Sequence, residues 1–271
     1  MNNYFSADEV QAILLLDQTT KKNILWATDD YENISADEEI QLEQLHLIQP
    51  RYKKNLANKK NRTRNKAEIF TPSRVCDEQN NLIDESFGEI FWQDYISKTI
   101  LEITCGEAPY LVSRYDSVTG EEISIENRIG WLDRKLRVVG ENVRDVEDWF
   151  HWAKKAVQSI YGYEFQGDNL FLARQNIFLS VGEFFEDKFN FPPPQNFLID
   201  VAEIISWNLW QMDGLTNTVP FAKQLAKQGN LFHPEYEKIF CRIKDWGKGE
   251  VWEFTEPKEG KECLRKVFNT D

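Results

Sequence analysis

The sequence predicts an α/β protein built on a mostly parallel sheet that helices cover on both faces. Short apolar segments alternate with helical patterns through residues 97–215, and such alternation favours parallel strands joined by helices. The segments 147–162 and 168–189 have the apolar spacing of helices. Acidic or turn-forming residues follow the short apolar segments, and open α/β sheets bind ligands at the carboxyl ends of their strands.

Charge and composition exclude several classes of function. The 271 residues carry a net charge of −13, which argues against a protein that wraps nucleic acid over its whole surface. No apolar run approaches the roughly 20 residues that a membrane-spanning helix needs. The four cysteines are scattered without a CxxC pair, which favours free thiols in the cytoplasm over disulfides or a metal site.

The chain divides in composition near residue 66. Residues 1–66 resemble an N-terminal helical appendage, whose last part, Arg51–Lys66, has eight basic residues and no acid. This basic arm is equally consistent with a mobile, solvated linker and with a DNA contact that weakens as salt rises. Residues 67–271 form the expected α/β domain, which ends in a β-hairpin around Gly247 and Gly249.

Three segments combine a strand end with residues suited to ligand binding. They are LEITCGEAPY at 101–110, YGYEFQ at 161–166 and NLWQMDGL at 208–215. A carboxylate at a strand end can accept a hydrogen bond from an ammonium, a hydroxyl or an amine, and glycine allows a ligand close to the backbone. Taken alone, each segment is better explained as an ordinary structural turn.

In their order along the chain, these segments resemble adenine-specific DNA methyltransferases of the restriction endonuclease subunit M type. An FTP tripeptide at 70–72 precedes a D-P-x-C-G-[ST]-G-like turn at 102–108. The stretch 162–176 is similar to the next motif, G-x-[DE] followed by A-R-x-N, and 208–215 is similar to N-I-x-x-x-D-x-L. The chain departs from the family where Glu107 replaces Ser or Thr and Ala108 replaces the second glycine.

The resemblance implies a Rossmann-like S-adenosylmethionine-dependent methyltransferase fold, whole or incomplete. It implies that the FTP tripeptide and the first turn hold the methionine end of S-adenosyl-L-methionine. Glu164 would bind the ribose, Phe165 would lie against the adenine, and Asp213 would accept the adenine amine. Glu107 would add a negative charge near the cofactor carboxylate unless its side chain points away. The cofactor-binding residues expected in the FTP tripeptide and the first turn are Phe70, Thr71, Pro72, Glu102, Thr104, Cys105 and Gly106.

The catalytic tetrapeptide of the family, [NDS]-P-P-[FYW], has no match. Asn217, Asn230 and Asn269 follow Asp213, and none precedes Pro-Pro. The sequence therefore predicts a cofactor-binding component of a restriction-modification enzyme that is inactive alone, with a second subunit or segment supplying catalysis and target recognition. Two alternatives stay open: a non-catalytic methyltransferase remnant that binds nucleic acid or a partner, and a nucleotide-binding protein unrelated to methylation.

Overall fold

The computed structural model describes residues 8–66, 68, 71–225, 236–257 and 263–267. The α-helices are α1 Asp8–Leu15, α2 Leu56–Lys66, α3 Ser73–Ser86, α4 Trp92–Ser97, α5 Trp131–Asn142, α6 Val146–Gln158, α7 Gly167–Phe189 and α8 Gln195–Asn208. The strands are β1 Ile100–Glu102, β2 Ile160–Glu164, β3 Leu209–Gln211, β4 Thr218–Leu225, β5 Tyr236–Phe240, β6 Arg242–Asp245, β7 Glu250–Phe254 and β8 Leu264–Lys266.

The central sheet confirms the expected α/β class. Strands β1, β2 and β3 are parallel and adjacent in that order. Helices α5 and α6 connect β1 to β2, and α7 and α8 connect β2 to β3. The sheet is therefore a βαβαβ unit of parallel strands joined by helices.

Helix α7 lies at the centre of the core, and the long helix predicted at 168–189 is confirmed. Most of its first 19 residues are buried. Arg174, 0% exposed, donates through its guanidinium to the carbonyl oxygens of Leu209 at 2.6 Å and Leu14 at 2.7 Å. Burial lowers the pKa of Arg174 to about 10. This buried cation therefore ties α1 and the start of β3 to α7.

The N-terminal segment shares this core, whereas the sequence suggested an appendage up to residue 66. Val10, Leu14, Ile24, Trp26 and Ile40 are each 0% exposed and belong to the same hydrophobic cluster as α7 and α8. The side-chain amide of Gln211, on β3, accepts from the Leu25 N–H at 2.8 Å and donates to the Leu25 carbonyl at 2.7 Å. The segment is held by apolar burial and by direct bonding to the parallel sheet.

The basic segment is also structured, which corrects the mobile-linker interpretation. A short 3₁₀ turn, Arg51–Lys53, is followed by α2. The Arg62 side chain is 1% exposed and forms ion pairs with Asp30, Glu68 and Asp168. Two cations of the segment, Arg62 and Lys54, are therefore paired with acids from elsewhere in the protein.

The chain after β3 forms antiparallel sheets. Strands β4 and β5 pair with each other, and β6, β7 and β8 form a three-stranded sheet. The hairpin predicted around Gly247 and Gly249 is confirmed, because β6 and β7 pair antiparallel on either side of it. Among the helices of the described ranges, none has both the length and the apolar character required to cross a bilayer.

Candidate functional site at the carboxyl edge of the parallel sheet

The three turns identified in the sequence lie at one edge of the sheet, where hydrogen bonds from backbone N–H groups join them. The Cys105 N–H donates to the Tyr163 carbonyl at 2.8 Å, and the Gly106 N–H donates to Glu164 Oε2 at 2.9 Å. The Met212 N–H donates to the Glu164 carbonyl at 3.0 Å. The first turn is therefore fixed to the second, and the second to the strand that leads into the third.

The turn after β1 differs from the expected strand–turn–helix unit. Thr104, Gly106 and Ala108 have φ angles of 48°, 56° and 62°, and further turns follow before α5 begins at Trp131. Positive φ angles are incompatible with a continuing right-handed helix. The chain therefore does not enter a helix directly from this turn, so ligand recognition by the turn itself depends on side chains and exposed backbone groups.

Glu102, the last residue of β1, has the most distinctive environment of the three acids. Its Oε1 accepts from the Tyr110 N–H at 3.4 Å, whereas its shielded Oε2 has no hydrogen-bond partner among the described residues. Burial raises the pKa of Glu102 well above its ordinary value; hydrogen bonding with the backbone of Tyr110 and Leu111 opposes this rise, and the nearby Glu164 adds to it. A cationic or neutral donor placed at Oε2 would satisfy a group that is costly to leave unbonded.

The FTP segment lies beside this acid, as far as the structure describes it. Phe70 lies outside the described residues. The Thr71 carbonyl accepts from Ser117 Oγ at 3.0 Å, and the exposed Pro72 precedes the first turn of α3. Burial and the charge of Glu102 raise the pKa of Cys76, in that first turn, to about 12. The beginning of α3 therefore faces the carboxylate at the end of β1.

Glu107 points away from this edge of the sheet. Its side chain is buried, with Oε1 accepting from the Arg51 N–H at 2.7 Å and Oε2 accepting from the Tyr115 hydroxyl at 2.6 Å. Burial raises the pKa of Glu107 to about 7, and these two hydrogen bonds oppose the rise. The departure from Ser or Thr at this position therefore serves attachment of the basic segment.

Glu164 and Phe165, expected at the ribose and adenine, already make internal contacts. Glu164 is buried, and its Oε1 accepts from the Gln166 N–H at 3.1 Å while Oε2 accepts from Gly106. Burial raises its pKa. The Phe165 ring meets Phe221 edge to face, with centroids 5.9 Å apart. A ribose hydroxyl at Glu164 would have to share or replace the bond from Gly106.

The remaining expected residues have local partners as well. The Thr104 hydroxyl donates to the Ile103 carbonyl at 2.7 Å. Cys105 is 2% exposed and packs in the main core, and burial raises its pKa well above the ordinary value. Asp213 Oδ1 accepts from the Leu215 N–H at 2.9 Å, which closes the tight turn into β4.

A separate cleft of about 1110 Å³ was not anticipated from the sequence. Gln211 and Phe221 line it, together with the 17–25 segment and residues of β5 to β8. Its lining does not include Glu102, Glu164 or Asp213. Phe221 is 52% exposed and connects the cleft to Phe165. An exposed phenylalanine is a weak sequence signal, because surface apolar residues are common.

Comparison of the chain with models of known protein families, with curated proteins and with solved structures found no match.

Proposed function

We propose that this chain is the S-adenosyl-L-methionine-binding component of a DNA adenine methyltransferase and that it is inactive alone. The observation that carries the proposal is Glu102 Oε2, which is shielded at the carboxyl edge of a parallel sheet and has no hydrogen-bond partner in the part of the chain that the structure describes. An α-ammonium group is a suitable donor for a buried carboxylate. Thr71 and the backbone of Gly106 would line the same methionine end, and the inward-facing Glu107 leaves it free of an extra charge.

The chemistry divides between this chain and a partner. When bound, the cofactor supplies a methyl group on a sulfonium centre, and this chain's residues would bind and orient it. Methyl transfer to adenine N6 also requires a flipped base, acceptors beside its amine and an aromatic clamp. The chain turns sharply at Asp213 into β4. In this proposal, none of the described residues holds the base. The partner would therefore position the acceptor, and positioning is a large part of such catalysis.

Fewer cations of the basic segment can contact DNA than the sequence suggested. Arg62 and Lys54 pair with acids, whereas Lys60 and Arg64 are exposed on α2. Exposed cations on one short helix suit weak, salt-dependent contact with phosphates without sequence preference.

The test is calorimetric titration of the full chain and of two isosteric variants with S-adenosyl-L-methionine. We expect Glu102→Gln to weaken binding by about 10- to 100-fold, because a hydrogen bond between charged groups contributes roughly 1.5–3 kcal/mol. Glu107→Gln, the matched control, should change affinity less than about threefold, because its side chain bonds Arg51 and Tyr115. Absence of binding by the unmodified chain, or equal losses in both variants, would refute the proposal.

Binding should also release a proton. The raised pKa of Glu102 means that the free protein retains the carboxyl proton above the ordinary titration range. An ammonium partner favours the ionised form, so affinity should rise with pH until the pKa of the free protein is passed. Calorimetric titrations in two buffers of different ionisation enthalpy measure the number of protons released on binding. They are made below about pH 7, where an α-amino group is charged. Glu102→Gln should abolish this release; a release that persists in the variant would assign it to another group.

The second candidate, a non-catalytic remnant, is favoured by one observation. Carboxylate oxygens of Glu164 and Asp213 already accept hydrogen bonds from backbone N–H groups of the protein itself. A chain that retains these bonds and does not bind the cofactor in the titration would fit that candidate, with DNA or a partner protein as its ligand.

A further inference from the structure

Two tryptophans lie at the amino edge of the parallel sheet, opposite the candidate cofactor site. Trp207 is the penultimate residue of α8, and Asn208 follows it directly ahead of β3. The Asn208 side chain donates through Nδ2 to the Ile160 carbonyl at 2.9 Å and accepts through Oδ1 from Trp246 Nε1 at 2.7 Å. The Trp246 indole is therefore held beside the beginnings of β2 and β3.

Two ammonium groups lie over these rings. Lys21, in the turn after α1, has its Nζ 4.9 Å from the centroid of the Trp207 ring, and Lys244 Nζ, on β6, lies 5.8 Å from that centroid. Lys244 Nζ is also 4.1 Å from the centroid of the Trp246 ring. Significant cation–π pairs occur roughly once per 70–80 residues, so three pairs that share four side chains are a local concentration. We call these four residues the Trp–Lys cluster.

The two cations form no ion pair with an acid in the part of the chain that the structure describes. Lys21 Nζ donates instead to the neutral Gln18 Oε1 at 2.7 Å. Burial lowers the pKa of Lys21, and the positive charges of Arg242 and Lys244 add to this effect, whereas two nearby acids oppose it. Like charges gathered at one place repel each other, so the arrangement favours an anionic ligand between them.

We propose that the Trp–Lys cluster binds single-stranded nucleic acid. Proteins that bind single strands without sequence preference combine cations, which contact the phosphates, with aromatic rings on which the bases stack. Trp207 and Trp246 are both half-buried, which fixes the rings and leaves part of them accessible. A duplex stacks its bases inside and presents a long row of phosphates, which suits a protein of net charge −13 less well than a short single strand. This site does not depend on the proposed function, because it lies at the opposite edge of the sheet.

The first test measures charge, with fluorescein-labelled strands of twelve thymidines or twelve uridines and fluorescence anisotropy. We expect the full chain to bind both strands at least about tenfold more tightly than the thymidine strand annealed to its complement. Lys21→Gln with Lys244→Gln should lower the slope of log affinity against log salt by about 1.4, since each phosphate contact on a single strand contributes about 0.7. Lys60→Gln with Arg64→Gln, which removes two exposed charges from α2, is the matched control and should retain the slope.

The second test measures stacking. Trp246→Leu should weaken binding by about 5- to 150-fold, the range found when a ring that stacks on a base is removed. Trp252→Leu, the control on the same hairpin, should change affinity less than about threefold, because Trp252 pairs with Ile243 and so lies on the strand face opposite Lys244. A strand that carries 5-iodouracil, crosslinked by light to the unmodified chain, should attach at Trp207 or Trp246, as mass spectrometry of the peptides reports without any variant.

Four outcomes would overturn the inference. They are crosslinks outside the Trp–Lys cluster, equal losses in the two charge variants, duplex binding as tight as single-strand binding, and displacement of the strand by polyglutamate as effectively as by unlabelled strand. The last of these would assign the cluster to an acidic protein segment. Cofactor titration of the same proteins reports independently. Cofactor binding without strand binding overturns the inference alone, and strand binding without cofactor binding overturns the proposed function alone.

Discussion

The Arg62→Ala variant should lose about 3–5 kcal/mol of the free energy of unfolding, the cost typical of removing one partner from a buried ion pair. Arg62 Nε lies 2.8 Å from Asp30 Oδ2 and 3.1 Å from Glu68 Oε2, and Nη2 lies 2.9 Å from Asp168 Oδ1. Asp168 is 0% exposed. Burial raises its pKa, but Lys54 and Arg62 outweigh this and lower it overall. Truncation would leave buried carboxylates with too little opposing charge.

Urea unfolding of Arg62→Ala and of Arg64→Ala measures this loss. Arg64 lies on the same helix but is exposed, so its truncation should change stability by less than about 0.5 kcal/mol. Asp168→Asn should cost less in the Arg62→Ala background than in the unmodified chain, because the two groups interact. If Arg62→Ala is as stable as Arg64→Ala, the network does not hold α2 in place.

The basic segment illustrates what a sequence pattern can and cannot reveal. Eight cations without an acid in 16 residues are visible in the sequence, and they indicated an exposed arm. Two of the acids that pair with Arg62, Asp30 and Asp168, are brought to α2 only by the fold, and Asp168 is 106 residues from Arg62. Glu107 is a similar case, because its partner Arg51 lies 56 residues away. Pairs so distant in sequence leave no local signal.

The turns at the sheet edge were predictable, but their internal geometry was not. Strand ends followed by acids identified all three turns, since the alternation of strands and helices fixes the edge at which they meet. The missing helix after Gly106 follows from positive φ angles at Thr104 and Ala108. Such angles are unusual for these residue types and are stabilised by tertiary contacts, including the bond from Cys105 to Tyr163.

Helix α7 and the N-terminal segment approach each other so closely at Gly167 that we expect a side chain there to lower stability by the second large amount. Gly167 begins α7, and its N–H donates to the Trp26 carbonyl at 3.0 Å. A Cβ atom at this position would lie 1.9 Å from the Leu25 carbonyl oxygen. That oxygen also accepts a hydrogen bond from Gln211 on β3. The N-terminal segment therefore cannot move away from α7 without breaking its attachment to the sheet.

We therefore expect Gly167→Ala to lower the free energy of unfolding by about 1–3 kcal/mol, the usual cost of overpacking, or more if the segment detaches. Gly140→Ala in α5 is the matched control, because its Cβ would meet no atom within 4 Å. That substitution should instead stabilise the protein by about 0.4–1 kcal/mol through a smaller loss of backbone entropy on folding. Urea unfolding of both variants, with hydrogen exchange at the Leu25 and Gly167 amides, distinguishes strain at the contact from a general helix effect. Stabilisation by both substitutions would mean that the N-terminal segment does not pack against α7 at this distance.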